Sequence, residues 1–410
     1  MLINHYAGSN IHGMEFRPYY LAREWVKNGH DVTIITAAFS HLRQKNIDIK
    51  ERKEEFIDGI RYVWLPTDKY VGNTLCRFKN MLQFVRQLYS NMSYFKSLAP
   101  DVVIASSTYP LDVYPAFKLT KKTGAKFVFE LHDLWPLSPM ELGQMSKYHP
   151  FIMLIQYTEN FWCRHVDKVV SILPNTEDYL KRHGLADNKF ICVPNGIVVE
   201  DYDIVEPLSV EYQELCDKLH KQGFFLLGYT GAHGIANALH TLLYAASKCQ
   251  IANLPIRFLL VGHGQEKEKL ILLQRKLKLS NVVFLDSIPK KQVHTFCKEI
   301  DCLYIGWQRK QLYQYGISPN KLMDYMMSGK PVIHAVTAGN NLVRDANCGI
   351  SVPAEDAGAV FEAINKMLAL TQEERQKLGN NGREYVIKNH DYKFLAKKII
   401  EFIKLSLIHI

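Results

Sequence analysis

No Cys-x-x-Cys pair occurs among the eight cysteines of this 410-residue chain, and no His/Cys cluster falls at metal-ligand spacing. Structural zinc has no ligand set here, and scattered cysteines without a secretion signal predict free thiols rather than disulfides. Apolar runs never approach the roughly 20 residues that cross a bilayer, and the amino end lacks the charged start and apolar centre of a signal peptide. The expectation is a cytoplasmic protein. Nor is nucleic acid an expected partner. Two nucleotide motifs are missing as well. Gly262-His263-Gly264 reaches Lys267 where a dinucleotide fingerprint needs a third glycine, and Gly8 and Gly13 lead into Met14-Glu15 rather than the Lys-Ser/Thr of a P-loop. Asp201-Tyr202-Asp203 has the form of a metal-binding pair but sits in a presumed linker, where acids are usually solvated; no metal is expected. There is no internal repeat and no low-complexity segment.

What is present is an alternation of short apolar, β-branched runs with longer helical patterns, the mark of βαβ units around parallel sheets. The first half offers strands at Leu2 to Asn4, Val32 to Thr36, Arg61 to Leu65, Asp101 to Ala105, Lys126 to Leu131, Lys168 to Ile172 and Phe190 to Val193. A second set begins at Phe225 to Tyr229 and continues through Ile256 to Val261, Val282 to Leu285, Cys302 to Ile305 and Pro331 to His334. Two sets in a chain too long for one core predict an α/β protein of two doubly wound domains. The junction falls near Val193-Pro194-Asn195-Gly196, giving domains 1–195 and 196–390, with Asp201 to Lys221 as a polar linker helix. A net charge of +9 suits an anionic partner such as a nucleotide sugar, a lipid phosphate or a membrane surface.

The segment Tyr313 to Ile333, YQYGISPNKLMDYMMSGKPVI, is the most informative. Pro319 suits the first turn of a helix, whose amino end has unpaired amides and a positive dipole, so it is a ready anion site. Asn320 and Asp324 stand four apart on one face with Lys321 beside them. A carboxylate there can take ribose hydroxyls while the lysine screens a diphosphate; the plain alternative is a solvated polar face. Three other loops carry chemistry. Gly231, Ala232, His233, Gly234 and Asn237 follow the first strand of the second half, where glycines let amides approach a diphosphate, or merely make a turn. In Glu130-Leu131-His132-Asp133-Leu134-Trp135-Pro136, His132 can hydrogen-bond a sugar or phosphate and Trp135 can stack on a sugar face, against a packed indole and a capping Asp133. Gly13, Glu15 and Arg17 lie in or just after the loop behind the first strand, unless Glu15 and Arg17 begin the next helix.

Together these segments resemble the family 4 retaining glycosyltransferases of the GT-B fold. The resemblance runs through GMEFRPYYLAREWVKNGHDVTIIT, ELHDLWPLSPMELG, VPNG, GYTGAHGIANALHTLLYAA, FLLVGHGQEKEKL and YGISPNKLMDYMMSGKPVI, almost the whole chain. The nearest branch by resemblance is the fucosaminyltransferase-like one of O-antigen and capsule synthesis. It implies two Rossmann-like domains facing a central cleft, the first on the acceptor side and the second binding the nucleotide sugar, with residues 391–410 forming a helix that crosses back to the first. It implies a UDP-sugar donor, commonly an N-acetylated or deoxy hexose such as N-acetylfucosamine, and an acceptor saccharide on a polyprenyl diphosphate. No cofactor is implied, since the UDP-sugar is a substrate.

By the same resemblance Asp324 stands at the second position of the acid-x7-acid motif and binds ribose. Gly316 stands at the first, where most members have Glu; the backbone from Gly316 to Ser318 or the side chain of Asn320 is the natural substitute. The usual Arg and Lys that clamp the diphosphate are not evident, which leaves Lys321 more of that work. Gly262, Gly264, Asp286 and Ile288 match the walls around the nucleobase, and His132, with Asp133, matches the catalytic histidine region beside the donor sugar. Gly13, Glu15 and Trp135 fall on the acceptor side. The implied chemistry is front-face attack helped by the leaving phosphate, without a metal. Arg77 to Lys96, basic, aromatic and free of acids, further suggests peripheral attachment to the inner face of the cytoplasmic membrane, with core packing as the plain alternative. Two other classes remain open, a GT-B nucleotide-sugar epimerase and a catalytically silent nucleotide-sugar-binding protein.

Overall fold

The computed structural model describes residues 1–72, 75–203 and 206–404, so positions 405–410 of the expected carboxyl-terminal helix lie outside the described residues. The chain divides into two compact units, Met1–Asn195 with Tyr392–Ile410, and Gly196–Asp391.

The first unit holds strands β1 (Leu2–Ile3), β2 (Thr33–Ala37), β3 (Lys53–Ile57), β4 (Ile60–Leu65), β5 (Val102–Ala105), β6 (Lys126–Leu131), β7 (Lys168–Ser171) and β8 (Phe190–Cys192). Their order is β3-β4-β2-β1-β5-β6-β7-β8, parallel except for the antiparallel edge pair β3–β4. Central residues such as Ile34, Ile35, Val103 and Val128 are wholly buried, as a parallel sheet covered on both faces requires. The chain winds outward from β1, then returns to its other side at β5, so the loops after β1 and β5 lie at the topological switch point where ligands gather. The helix Arg17–Lys27, with Pro18 in its first turn, packs against the last helix, Tyr392–Lys404. Trp25 Nε1 donates to Ala396 O at 3.0 Å, and Lys398 Nζ donates to Cys192 O at 3.0 Å beside β8. The last helix thus completes the first unit.

The second unit is a six-stranded parallel sheet of β9 (Phe225–Thr230), β10 (Ile256–Val261), β11 (Val282–Leu285), β12 (Cys302–Gly306), β13 (Val332–Ala335) and β14 (Gly349–Val352), ordered β11-β10-β9-β12-β13-β14. Its switch point lies between β9 and β12, which places the Gly231–Asn237 loop beside the segment leading to the helix Asn320–Met327.

Two strands and one helix differ from the sequence-based reading. β3 is a charged, mostly exposed edge strand, KEEFI, without the apolar run expected of a strand, and it pairs with β4 through a tight Asp58-Gly59 hairpin. β14, GISV, is a half-buried edge strand of the second unit's sheet that begins on glycine. The expected linker helix from Asp201 to Lys221 is instead a 3₁₀ turn, Val199–Tyr202, and a helix, Val210–Lys221. Pro207 between them has no amide to donate and disfavours helical geometry in the residue before it.

Candidate functional site

In the second unit the site is built on the end of β9. Tyr325 locks the helix Asn320–Met327 to that strand: its hydroxyl accepts from Thr230 N at 2.8 Å and donates to Thr230 O at 3.1 Å. Four residues earlier on the same helix face, Lys321 is therefore directed at the following loop. Its Nζ donates to Tyr229 Oη at 2.7 Å and to Asn237 Oδ1 at 2.7 Å, and it lies 4.4 Å from the Tyr229 ring centroid. A Cβ on Gly231 would come within 3.2 Å of that Nζ, so glycine makes the space the ammonium occupies. Lys321 forms no ion pair among the described residues, and burial pulls its pKa down to about 7. An ammonium kept from water without a protein carboxylate is poised for an anionic ligand.

Asp324 does not share that face. Its carboxylate accepts from Tyr202 Oη, a residue 122 positions away. Burial pushes the carboxyl above its ordinary pKa, against Lys290 and Tyr202, which favour the charged form. Asn320, the expected companion of Asp324, is exposed at the first turn, and Ser318 is half-buried just before Pro319. Gly316 has φ 103° and ψ 172°, while Asn340 pins the next residue through Ile317 N at 2.8 Å and Ile317 O at 3.0 Å.

The rest of the loop is held by contacts of its own. Ala232 O is occupied by Tyr229 Oη at 2.7 Å and Asn237 Nδ2 at 3.0 Å, and Gly234 precedes the 3₁₀ turn Ile235–Asn237. Asn237 thus braces Lys321 by accepting from its Nζ. The His233 ring is fully buried beside Phe284, and burial brings its pKa down to about 4, so it is neutral and supplies no charge. Gly262 and Gly264 serve contact between loops: a Cβ would meet Gly231 O at 1.9 Å and His233 O at 2.4 Å respectively. Lys267, where a dinucleotide fingerprint would have glycine, reaches Leu285 O at 3.0 Å and Asp286 at 2.9 Å. The Ile288 side chain packs against the core, which leaves backbone as that segment's wall.

In the first unit, the loops after β1, β5 and β6 converge. Glu130, on β6, pairs through Oε1 with Arg17 Nε at 2.9 Å and accepts the Ser106 hydroxyl on Oε2 at 2.6 Å. His132 Nε2 lies 2.9 Å from Ser106 Oγ and 3.3 Å from Glu130 Oε2. Burial would raise the Glu130 carboxyl, but Arg17 and His132 outweigh it and hold the pKa well below the carboxylate range. Asp133, expected beside His132 in catalysis, accepts from Leu134 N at 2.9 Å and from the Ser138 hydroxyl. Trp135 packs edge-on against Phe151, with centroids 5.9 Å apart, as part of an apolar cluster. Gly13 closes a small hairpin with Ser9, and Glu15 sits half-buried before the helix that Arg17 begins. Sequence reasoning missed Tyr202, Ser106 and the structural roles of Arg17 and Glu130; only the motif ELHD hinted at the last.

Two doubly wound units with these loops at their switch points define a GT-B glycosyltransferase. The chain belongs with the family 4 glycosyltransferases: residues 11–201 match the model of Glycosyltransferase Family 4, and residues 216–385 that of Glycosyl transferases group 1. Among solved structures it is similar to sucrose-phosphate synthase from Thermosynechococcus elongatus, with 18% identity and a TM-score of 0.74, covering 99% of this chain and 98% of that one. It is also similar to HepE from Anabaena in complex with UDP and glucose, at 14% identity and TM-score 0.67 over 98% of each chain. WaaG, a glycosyltransferase involved in lipopolysaccharide biosynthesis, matches at 15% identity and TM-score 0.64, covering 97% of this chain and 98% of that one. No curated protein matches the sequence.

Proposed function

We propose that the chain is a retaining, metal-independent transferase that moves a sugar from a UDP-sugar to a saccharide carried on a polyprenyl diphosphate, in cell-surface polysaccharide synthesis. The observation that carries the donor side is Lys321, a largely desolvated ammonium that the helix Asn320–Met327 holds against the loop after β9, with no carboxylate partner among the described residues. A nucleoside diphosphate is already a fair leaving group, so the main demand is to stabilise charge growing on its phosphates, which Lys321 and the amides at the amino end of its helix supply. His132 serves the sugar, and Asp324 the ribose. That HepE is seen with UDP and glucose supports the donor class, and the role of WaaG in lipopolysaccharide synthesis supports a lipid-borne acceptor. An N-acetylated or deoxy hexose such as N-acetylfucosamine is the proposed sugar. The test is incubation with UDP-sugars and a polyprenyl diphosphate saccharide, reading the anomeric configuration of any product. An isomerised donor without acceptor would mark an epimerase instead, and no turnover with any donor a silent binder.

Asp324→Ala is expected to weaken UDP by roughly 1.5–3 kcal/mol, the value of a charge-assisted hydrogen bond. Tyr202→Phe removes only the neutral partner and is expected to change affinity by about 1 kcal/mol or less. Calorimetry with UDP reads both, and an Asp324→Ala protein that binds UDP like the parent takes ribose away from this carboxylate.

Attachment to the inner face of the cytoplasmic membrane is part of the proposal. No helix among the described residues is long and apolar enough to cross a membrane. On the helix Leu75–Ser90, Met81, Phe84 and Leu88 face the core, while the exposed stripe reads Leu75, Lys79, Leu82, Arg86 and Tyr89. Apolar and basic groups alternate along it at helical spacing, with no acid on the helix, a pattern suited to an anionic interface. Phe78 packs edge-on against Phe151 of the helix Pro150–His165, which adds exposed Met153, Leu154 and Tyr157. Replacing Lys79, Arg86 and Lys96 by Glu is expected to reduce sedimentation with anionic vesicles and leave UDP binding unchanged. Undiminished vesicle binding would refute the basic stripe.

A further inference from the structure

We infer that Glu130 and Ser106 fix His132 as its Nε2–H tautomer, leaving Nδ1 as the ring nitrogen available to a ligand, and that Glu130 is a positioning residue for the transfer. The inference rests on the reading that His132 serves the sugar. It follows from counting protons in a buried network. Ser106 has one hydroxyl hydrogen and two lone pairs. The hydrogen goes to Glu130 Oε2 at 2.6 Å, because a carboxylate is the stronger acceptor. Asn4 Nδ2 donates to Ser106 Oγ at 3.1 Å and to Ser106 O at 2.7 Å. The remaining lone pair faces His132 Nε2 at 2.9 Å, and the second neighbour of that nitrogen is Glu130 Oε2 at 3.3 Å. Both neighbours present oxygen lone pairs, so Nε2 must carry the hydrogen; a bare Nε2 would oppose two acceptors.

The carboxylate itself cannot swing away. Glu130 is 2% exposed and Arg17 likewise. Besides Glu130, the Arg17 guanidinium donates to Pro194 O at 2.7 Å and Val193 O at 2.8 Å, where the first unit hands the chain on. A planar fork held at three acceptors fixes the carboxylate plane, and through it the ring. The other acids whose fields reach the ring, Asp112 and Asp133, make no hydrogen bond to it among the described residues. Asp112 is buried against Ser107 N at 3.3 Å, and Asp133 is bound to Leu134 and Ser138.

Glu130→Gln gives the sharpest test. Arg17 offers only donors, so the amide oxygen must stay with it, and the new NH₂ group then faces Ser106 and the ring. His132 Nε2 becomes an acceptor and the proton moves to Nδ1. An asparagine in place of the triad aspartate of serine proteases lowers kcat by ~10⁴ through such a wrong tautomer with geometry intact. In ¹⁵N-histidine-labelled protein, with the His132 signal assigned by its loss in His132→Gln, the neutral ring of the parent is expected to show protonated Nε2, and Glu130→Gln protonated Nδ1. Ser106→Ala is expected to keep the parent tautomer through Glu130. Release of UDP from the UDP-sugar that the parent turns over is expected to fall in Glu130→Gln on the order of 10²-fold in kcat, with KM nearly unchanged. A parent ring protonated at Nδ1 overturns the inference, and that spectrum decides it even if the variant does not fold. An unchanged tautomer in Glu130→Gln overturns the role of Glu130. By contrast, parental turnover by His132→Ala would remove His132 from the sugar site while the parent spectrum still showed protonated Nε2, so the two failures are distinguishable.

Discussion

Lys321→Met is expected to weaken UDP binding by roughly 1.5–3 kcal/mol, the worth of a hydrogen bond to a charged group, and at the same time to raise the melting temperature of the ligand-free protein. Both halves follow from one fact. Burial lowers the lysine pKa to about 7, so the folded protein holds a desolvated cation that the unfolded chain would leave in water. Below about pH 7 the ammonium is charged in both states and its burial cost is fully present. Between about 7 and the ordinary value of about 10.4, the unfolded state binds a proton that the folded state does not, so this site makes stability rise with pH across that window. Methionine removes the cost, so the gain in melting temperature is expected to be largest near pH 7 and to shrink toward pH 10. The ligand has the opposite preference. A diphosphate favours the ammonium, so UDP affinity in the parent is expected to hold near pH 7 and to fall toward tenfold per pH unit above it, with proton uptake visible as buffer-dependent binding enthalpy. Uridine, without phosphates, is expected to bind parent and variant alike. Equal UDP affinity in both proteins, or no pH dependence above 7, would remove Lys321 from the diphosphate.

How much of this was legible depends on how local each interaction is. All strands but the edges β3 and β14 could be read because buried parallel strands are short continuous apolar runs, and Pro319 marked the start of the site helix. The four-residue spacing of Asn320 and Asp324 suggested one shared polar face with Lys321. The structure divides them: Lys321 and Tyr325 turn to the β9 loop, Asp324 turns to Tyr202, and Asn320 is exposed. Nothing within a window around Asp324 could have announced a tyrosine 122 residues away. The same holds for Ser106 and Arg17, which meet Glu130 only because β1, β5 and β6 are neighbours in the sheet. A demand on glycine was hidden for a related reason: at Gly262 and Gly264 the backbone of another loop lies where a Cβ would stand. β3 was overlooked because its charges hide it, although the Asp58-Gly59 pair before β4 is a hairpin signal.

Gly316→Glu would restore the side chain carried by most of the resembled family, yet it is expected to damage this protein. At φ 103° and ψ 172° the residue lies in a region that is essentially glycine's alone, and a side chain there costs ~1–3 kcal/mol. The segment has little freedom to escape into an ordinary conformation. Gly316 N is bonded to Tyr313 O at 3.0 Å, and both backbone groups of Ile317 are held by the Asn340 amide at 2.8 and 3.0 Å. Relaxing φ would break these bonds and shift Ser318 and Pro319, hence the amino end of the helix that carries Lys321. The expected result is lower denaturant stability by roughly 1–3 kcal/mol, together with at least a tenfold loss of UDP-sugar turnover. Gly316→Ala separates strain from chemistry, because it imposes the backbone penalty without a carboxylate. Comparable losses in both variants assign the defect to backbone strain. Activity that is higher with Glu than with Ala would mean that the added carboxylate finds the sugar hydroxyls and partly offsets the strain. A Gly316→Glu protein as stable and as active as the parent would refute the requirement for glycine, and with it the view that backbone at this position replaces the missing side chain.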